Sequence, residues 1–271
     1  MSLDNIMMKE EKKEVIFLLG ATGGIGKLLA EELKRNGYIV VGNGRKENVL
    51  IDMKNEGKIN DYVVGDLTND KDRKKIIEKI KEYVNKGYIV KWVFYNIGIL
   101  HPYLGEFKNY TTEMIDKSYE INVKSIEKMD NELEKNDLYL DTIYMISISA
   151  FFRGNWDHEY QKTKAALKAH AELQILNSKG RRIIALFPDT IKTGEEGMGS
   201  KLEGYPKIPG EMFVRKVVEI MKRKYREYSG FTFEIGDDNI IRLYGINPSK
   251  VTNAFEYLEK EFIEEMGKAV Y

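Results

Sequence analysis

There is no cysteine among the 271 residues of this chain. Disulfide frameworks, zinc–thiolate sites, iron–sulfur clusters and cysteine nucleophiles are therefore excluded, and a reducing compartment, the cytoplasm by default, is expected. Histidine is scarce as well. His101, His158 and His170 are the only three, and none has paired ligand spacing on one helix face, so no metal site is expected. Net charge is missing too: 43 Lys and Arg against 43 Asp and Glu leave a formal charge of +0. That removes the whole-molecule basic field of a nucleic-acid or anionic-membrane binder, and neither partner is expected. No apolar run approaches the ~18 to 20 residues of a membrane-spanning helix, and residues 1–14 are polar with no signal-peptide core. What remains is 42% hydrophobic and 32% charged, enough apolar material for a sizeable core in a soluble globular protein.

Short β-rich apolar runs alternate with longer charged segments of helical period, the pattern of repeated βαβ units around a parallel sheet. Strands are expected near 14–19, 38–42, 61–64, 89–95, 141–147, 182–187 and 231–235. Helices are expected near 24–36, 70–86, 111–136, 158–179 and 210–226. Seven strands make one doubly wound α/β sheet, a Rossmann fold with helices on both faces. There is no internal repeat and no Pro/Ser-rich linker, so residues 14–271 read as one domain, with 1–13 set outside the fold. Residues 194–210 hold five glycines and two prolines and read as a lid. Val251, Phe255, Leu258, Phe262 and Met266 recur at helical spacing, so a C-terminal helix over 249–267 is expected to pack on the body or on another subunit.

The first chemical signal is Gly20-Ala21-Thr22-Gly23-Gly24-Ile25-Gly26, directly after an apolar strand and directly before a helix. Glycine lets the backbone turn tightly against a diphosphate, and the helix N-terminus supplies anion affinity, so the loop reads as a dinucleotide site. The second is Tyr160 and Lys164, four apart and so on one helix face. In a chain rich in both residues such a pair arises by chance, and its neighbours decide the matter. Ser147 lies 13 residues before Tyr160 at a strand end; Asn96 and Gly98 end the fourth strand; Asn122 sits in the following helix. All fall where a parallel sheet presents its ligand-binding carboxyl edge or on the helices flanking it.

This combination resembles the short-chain dehydrogenase/reductase family in its single-domain form, over roughly residues 14 to 236. Gly20, Gly24 and Gly26 match the family's G-x-x-x-G-x-G loop, which also contains Thr22, Gly23 and Ile25, although Leu19 stands where a threonine is usual. Asp66, followed by Leu67, resembles the acidic residue that contacts the adenine. Asn96-Ile97-Gly98 is similar to the N-A-G element that stabilises the central sheet. Asn122, Ser147, Tyr160 and Lys164 match the catalytic tetrad in order and approximate spacing. Pro188, Ile191 and Thr193 resemble the segment that holds the nicotinamide, with Asp189 in place of a glycine. The resemblance implies a homodimer or homotetramer and a small-molecule carbonyl or alcohol substrate.

The chemistry suits those roles. A free tyrosine, with pKa ~10, is poorly poised for proton transfer at neutral pH; bringing it near 7 takes about 4 kcal/mol, which a lysine ammonium in a partly dry cleft can supply. Lys164 is placed for that and for holding ribose hydroxyls. Ser147 would bond the substrate oxygen, and Asn122 would anchor a water leading protons to Lys164. Ser149 is also near the strand end, but its 11-residue spacing to Tyr160 fits less well than the 13 of Ser147. Phe151, Phe152 and Trp156, with Met198, Leu202 and Tyr205 on the lid, favour an apolar carbonyl compound over a charged sugar, although core packing explains any one of them equally well. His101, just past the fourth strand, is positioned to line the substrate pocket. At the end of the second strand Gly44 replaces the acid that selects NAD, and Arg45 and Lys46 offer donors to a 2′-phosphate, so NADP(H) is expected over NAD(H). Glu47 is the ribose ligand if the loop folds differently. The alternative is a catalytically silent NADP(H) sensor or scaffold, for which Asp189 is the hint.

Overall fold

In the central strand β1 (Glu14–Leu19), the five residues from Val15 to Leu19 are fully buried, as a strand covered on both faces requires. The computed structural model describes residues 13–101, 109–151, 158–188, 190–193, 208–222, 231–235 and 241–245. After β1 come α1 (Gly24–Arg35), β2 (Ile39–Gly44), α2 (Glu47–Asn55), β3 (Asp61–Val64), α3 (Asp70–Asn85) and β4 (Ile89–Tyr95). Then follow α4 (Thr112–Tyr119), a π-helical turn (Glu120–Lys124), α5 (Ser125–Lys135), β5 (Asp141–Met145), a 3-10 turn (Ile148–Phe151) and α6 (His158–Leu176). The chain continues through β6 (Ile183–Pro188), β7 (Ile191–Lys192), β8 (Ile208–Pro209), α7 (Gly210–Lys222), β9 (Phe231–Ile235) and β10 (Ile241–Gly245).

The main sheet has eight strands in the order β10-β9-β6-β5-β4-β1-β2-β3. Every neighbouring pair is parallel except β10 with β9. From β1 the chain winds out to β3 on one side, then returns to β4 on the other, so the order reverses between β1 and β4. Such a reversal opens a crevice at the carboxyl ends of the strands. Alternate β1 residues feed two cores. Ile16 and Leu18 pack with α1 and α7, while Val15, Phe17 and Leu19 pack with α3, α5 and α6.

All seven expected strands are present. The eighth, β10, was not expected, nor was α2, whose nine residues bury only Leu50 and Met53. The helix expected over 111–136 is three pieces, because a π turn interrupts it. The far end of the expected lid is ordered: Ile208 and Pro209 pair with Ile191 and Lys192 as a two-stranded parallel ribbon. Residues 1–12, 194–207 and the expected C-terminal helix over 249–267 lie outside the described residues.

One buried polar cluster pins the strands and helices that carry the site. The Asp130 carboxylate on α5 accepts hydrogen bonds from the Tyr95 hydroxyl of β4 at 2.5 Å and the Tyr144 hydroxyl of β5 at 2.6 Å; His170 Nε2 of α6 lies 2.7 Å away. The two tyrosine rings stack at 5.3 Å, and the His170 ring stands edge-on to Tyr144. Burial, then the neighbouring Asp130 charge, pushes both tyrosine hydroxyls well above their ordinary pKa of 10, so they remain donors. His170 is thus a satisfied core residue, as its isolation in the sequence suggests.

Candidate active site

The crevice begins at Gly20, whose φ of +88° turns the chain out of β1. A Cβ there would stand 2.5 Å from the Asn96 carbonyl oxygen, and the Asn96 side chain donates back to the Gly20 carbonyl at 3.0 Å. Gly26 is needed for closeness: a Cβ would sit 2.3 Å from the Gly20 carbonyl oxygen, so α1 lies directly on the loop that precedes it. The N–H groups of Gly20 and Ala21 both donate to the Asn43 carbonyl. No side chain among the described residues caps α1 at Gly23, which leaves its first N–H groups and the positive end of the helix facing the crevice. Thr193, after β7, closes against Gly24, with its side chain 2.7 Å from where a Cβ would be.

Beyond the loop is a cleft of about 190 Å³. Of the residues expected at the cofactor, Gly20, Thr22, Gly23, Arg45, Asp66, Leu67, Asn96 and Gly98 line it. Gly24, Ile25, Gly26, Lys46, Tyr160, Lys164, Pro188, Ile191 and Thr193 do not. Lys46 is exposed at the start of α2, and Glu47 is exposed in its first turn. Gly44 presses on Thr22: a Cβ would meet the threonine methyl at 2.6 Å, so any side chain here displaces Thr22. The Asp66 carboxylate accepts from the Thr68 N–H and hydroxyl at 2.9 and 2.8 Å and stands 3.5 Å from Arg45 Nη1. Burial pushes its pKa up, but the Thr68 bonds and the Arg45 charge outweigh that and hold it below the usual value. The sequence reading passed over Asn43, Thr68, Ile99, Ile121 and Ser125, which also line the cleft. Asn43 is buried near the end of β2 and donates to the Val63 and Gly65 carbonyls, a role that only the fold reveals.

Toward α6 the residues change character. Asn122, fully buried, comes from the π turn; its Oδ1 accepts from the Ile99 N–H at 2.7 Å and its Nδ2 donates to the Ile99 carbonyl at 2.9 Å. The same Nδ2 donates to Thr163 Oγ1 at 3.1 Å, and that hydroxyl donates to the Tyr160 carbonyl. The π turn has its own signature: the Ser125 N–H reaches back to the Glu120 carbonyl, and the Ser125 hydroxyl takes the Ile121 carbonyl at 2.7 Å.

Lys164 is 3% exposed. Its Nζ lies 3.4 Å from the Met145 carbonyl at the end of β5, 5.3 Å from the centre of the Tyr160 ring, and 3.2 Å from where a Cβ on Gly98 would stand. No carboxylate faces it among the described residues, and burial pulls its pKa down to about 8. Ser147 is half-buried just past β5; its hydroxyl donates to Ser149 Oγ at 3.1 Å and accepts from the Ser149 N–H. The two serines weighed as rivals are therefore a bonded pair. The structure brings Asn122, Tyr160, Lys164 and Gly98 together and sets Ser147 two residues beyond the carbonyl that Lys164 reaches. Asp189, Phe152, Trp156, Met198, Leu202 and Tyr205 lie outside the described residues, as does the side chain of Phe151.

The comparisons with known proteins agree with this geometry. The family described as short chain dehydrogenase matches residues 14–197. The 3-oxoacyl-(acyl-carrier-protein) reductase of Buchnera aphidicola subsp. Acyrthosiphon pisum is 26% identical over 190 residues, covering 67% of this chain and 75% of that protein. Among solved structures, ElxO with NADP bound superposes with a TM-score of 0.71 at 20% identity, over 84% of this chain and 98% of that one. A short-chain type dehydrogenase/reductase from Mycobacterium ulcerans gives a TM-score of 0.73 at 16% identity, over 84% and 90%.

Proposed function

The chain belongs to the short-chain dehydrogenase family of oxidoreductases, and from that premise we propose that it moves hydride between NADP(H) and a carbonyl or alcohol substrate, with Tyr160 as general acid and base. The observation that carries this reading is the Lys164 ammonium. Among the described residues it is a buried cation with one long hydrogen bond and no acidic partner, beside a tyrosine ring. Burying a charge unpaired is costly, and the cost is tolerated where the charge has work to do.

The residues present fit a dinucleotide. A Cβ at Gly20, Gly24 or Gly26 would strike Asn96, Thr193 or the loop itself, Gly23 faces open space, and the uncapped start of α1 suits a diphosphate. Asp66 and Leu67 would hold the adenine, Lys164 and Tyr160 the nicotinamide ribose, and Pro188, Ile191 and Thr193 the nicotinamide end. When bound, the dinucleotide supplies or accepts the hydride. Arg45 lines the cleft and Gly44 offers no carboxylate, which supports a 2′-phosphate ligand; the NADP-bound ElxO has the same fold.

Within this reading the Tyr160 hydroxyl gives its proton to the substrate oxygen in reduction and takes it back in oxidation. Lys164 stabilises the phenolate by Coulomb attraction, strengthened by the dry surroundings. Ser147 bonds the substrate oxygen, with Ser149 holding its hydroxyl. Asn122 anchors a water leading protons to Lys164, and its amide, bonded to the Ile99 N–H and carbonyl and to Thr163, is the strut that keeps Gly98 and Ile99 beside Lys164. A carbonyl as reacting group accords with the name of the Buchnera relative, a 3-oxoacyl reductase. The test is Tyr160→Phe, assayed with NADPH and NADH against a carbonyl panel. Retained cofactor binding with kcat down ~100-fold or more supports the reading, since that is the usual worth of positioned proton transfer. More than about a tenth of wild-type kcat overturns it, and a kcat/KM for NADH at or above that for NADPH overturns the choice of cofactor.

A further inference from the structure

Polar atoms that fold into a protein interior are nearly always paired, and one that is not calls for an explanation. His101 Nε2 is such an atom: it is buried and has no hydrogen-bond partner among the described residues. His170, by contrast, has its Nε2 against Asp130. The path of the chain says where His101 stands. Asn96 bonds the glycine loop at Gly20, Gly98 abuts Lys164 Nζ, and Ile99 is clamped at both N–H and carbonyl by Asn122. From 96 to 99 the backbone thus runs from the cofactor cradle toward the catalytic lysine, and His101 follows two residues later, within ~7 Å of chain from Ile99.

We propose that His101 selects the substrate, its Nε2 donating a hydrogen bond to a second oxygen of the ketone or alcohol that does not itself react. This rests on the oxidoreductase reading of the same site. The favoured substrates are then ketones bearing a further acceptor oxygen, such as keto esters or keto acids, rather than plain alkyl ketones. A site that leaves a donor buried and unmet without the right ligand discriminates against the analogue lacking its acceptor. A purely structural histidine would be replaceable by an apolar residue of similar size at no loss, because no partner is forfeited.

The experiment compares two keto esters, methyl acetoacetate and methyl levulinate, with 2-heptanone and 2-octanone, their equals in heavy atoms. Wild type is expected to favour at least one ester about tenfold or more in kcat/KM, mainly through KM, the worth of one hydrogen bond to a neutral acceptor. His101→Leu should bring that ratio to about one, and His101→Gln, whose amide nitrogen overlays Nε2, should restore most of it. No ester preference in wild type, or a preference unchanged in His101→Leu, overturns the proposal. Nitrogen-15 imidazole spectra of the full chain keep its failure separate from that of the activity reading. The Nε2 signal should move when methyl acetoacetate or methyl levulinate is added to protein saturated with NADP+, and not with NADP+ alone. A shift without turnover of any ketone upholds His101 and sinks the activity reading. A shift on cofactor alone, or none at all, sinks His101 whatever the turnover.

Discussion

Two buried polar clusters lie side by side on the same strands and the same helix, and they are built on opposite terms. Tyr95 and Tyr144 belong to one, while their chain neighbours Asn96 and Met145 belong to the other; α6 gives His170 to the first and Lys164 to the second. Around Asp130 every polar tip shown has its partner. Around Lys164 the struts are satisfied, with Asn122 bonded to Ile99 and Thr163, but among the described residues the ammonium has a single hydrogen bond, of 3.4 Å. The first cluster fixes the strand ends and the helix; the second leaves unmet the groups that a ligand would meet. A buried ammonium left short beside a cluster that pairs its own polar tips marks the working end of the molecule.

Breaking the first cluster should have the largest effect. Asp130→Ala strands two tyrosine hydroxyls and an imidazole, and is expected to cost about 3 kcal/mol or more in urea unfolding, with the cofactor affinity of the folded fraction little altered. A loss under about 1 kcal/mol would show the cluster to be incidental. Next comes Tyr160→Phe, which should leave unfolding nearly unchanged while kcat falls ~100-fold or more.

Lys164→Met sharpens the contrast, because here a cluster is broken and stability should rise. Burial lowers the ammonium's pKa from 10.5 to about 8, so at pH 7 the folded state carries a penalty of about 3 kcal/mol at most. Methionine removes the charge and keeps most of the stem, and a gain of roughly 2 kcal/mol in the ligand-free protein is expected, together with weakened cofactor binding and lost turnover. The sign with pH follows. Between about 8 and 10.5 the unfolded chain holds a proton that the folded chain has released, so wild-type stability rises with pH through that window. The advantage of Lys164→Met should therefore be full below pH 8 and gone by 10.5; an advantage independent of pH would mean that the ammonium is not the cause. The smallest effect belongs to Arg45→Ala. Arg45 is largely exposed and shares its charge with Asp66, so the preference for NADPH over NADH should fall about tenfold, near 1 kcal/mol, in side-by-side kcat/KM measurements.

The strands were legible because a sheet covered on both faces needs unbroken apolar runs, and Val15 to Leu19 and Trp92 to Tyr95 supply them. The spacing of Gly20, Gly24 and Gly26, and of Tyr160 and Lys164, was legible because local turns and helix faces are short-range geometry. What stayed hidden depends on contacts across the chain. Asn43 looks like a surface residue until β3 lies beside it, and Arg45 finds Asp66 only when β2 and β3 pair. Thr163 stands next to Lys164, yet its role appears only when Asn122 arrives from another helix. Short α2 buries too few apolar residues to show a period, and a π turn has no residue code of its own.

That turn has a consequence for sequence comparison and for engineering. A π turn amounts to an α-helix with one surplus residue, so a homologue with a regular helix here should align with a gap of one position between Glu120 and Lys124. Deleting one residue in that stretch would turn the bond from the Ser125 N–H to the Glu120 carbonyl, which now spans five residues, into the four-residue bond of a regular α-helix. The helix would become more regular, and Asn122 would lose the widened turn from which it reaches Ile99. At this point the length of the chain is itself a functional character, and a deletion that improves the helix should empty the site of its order.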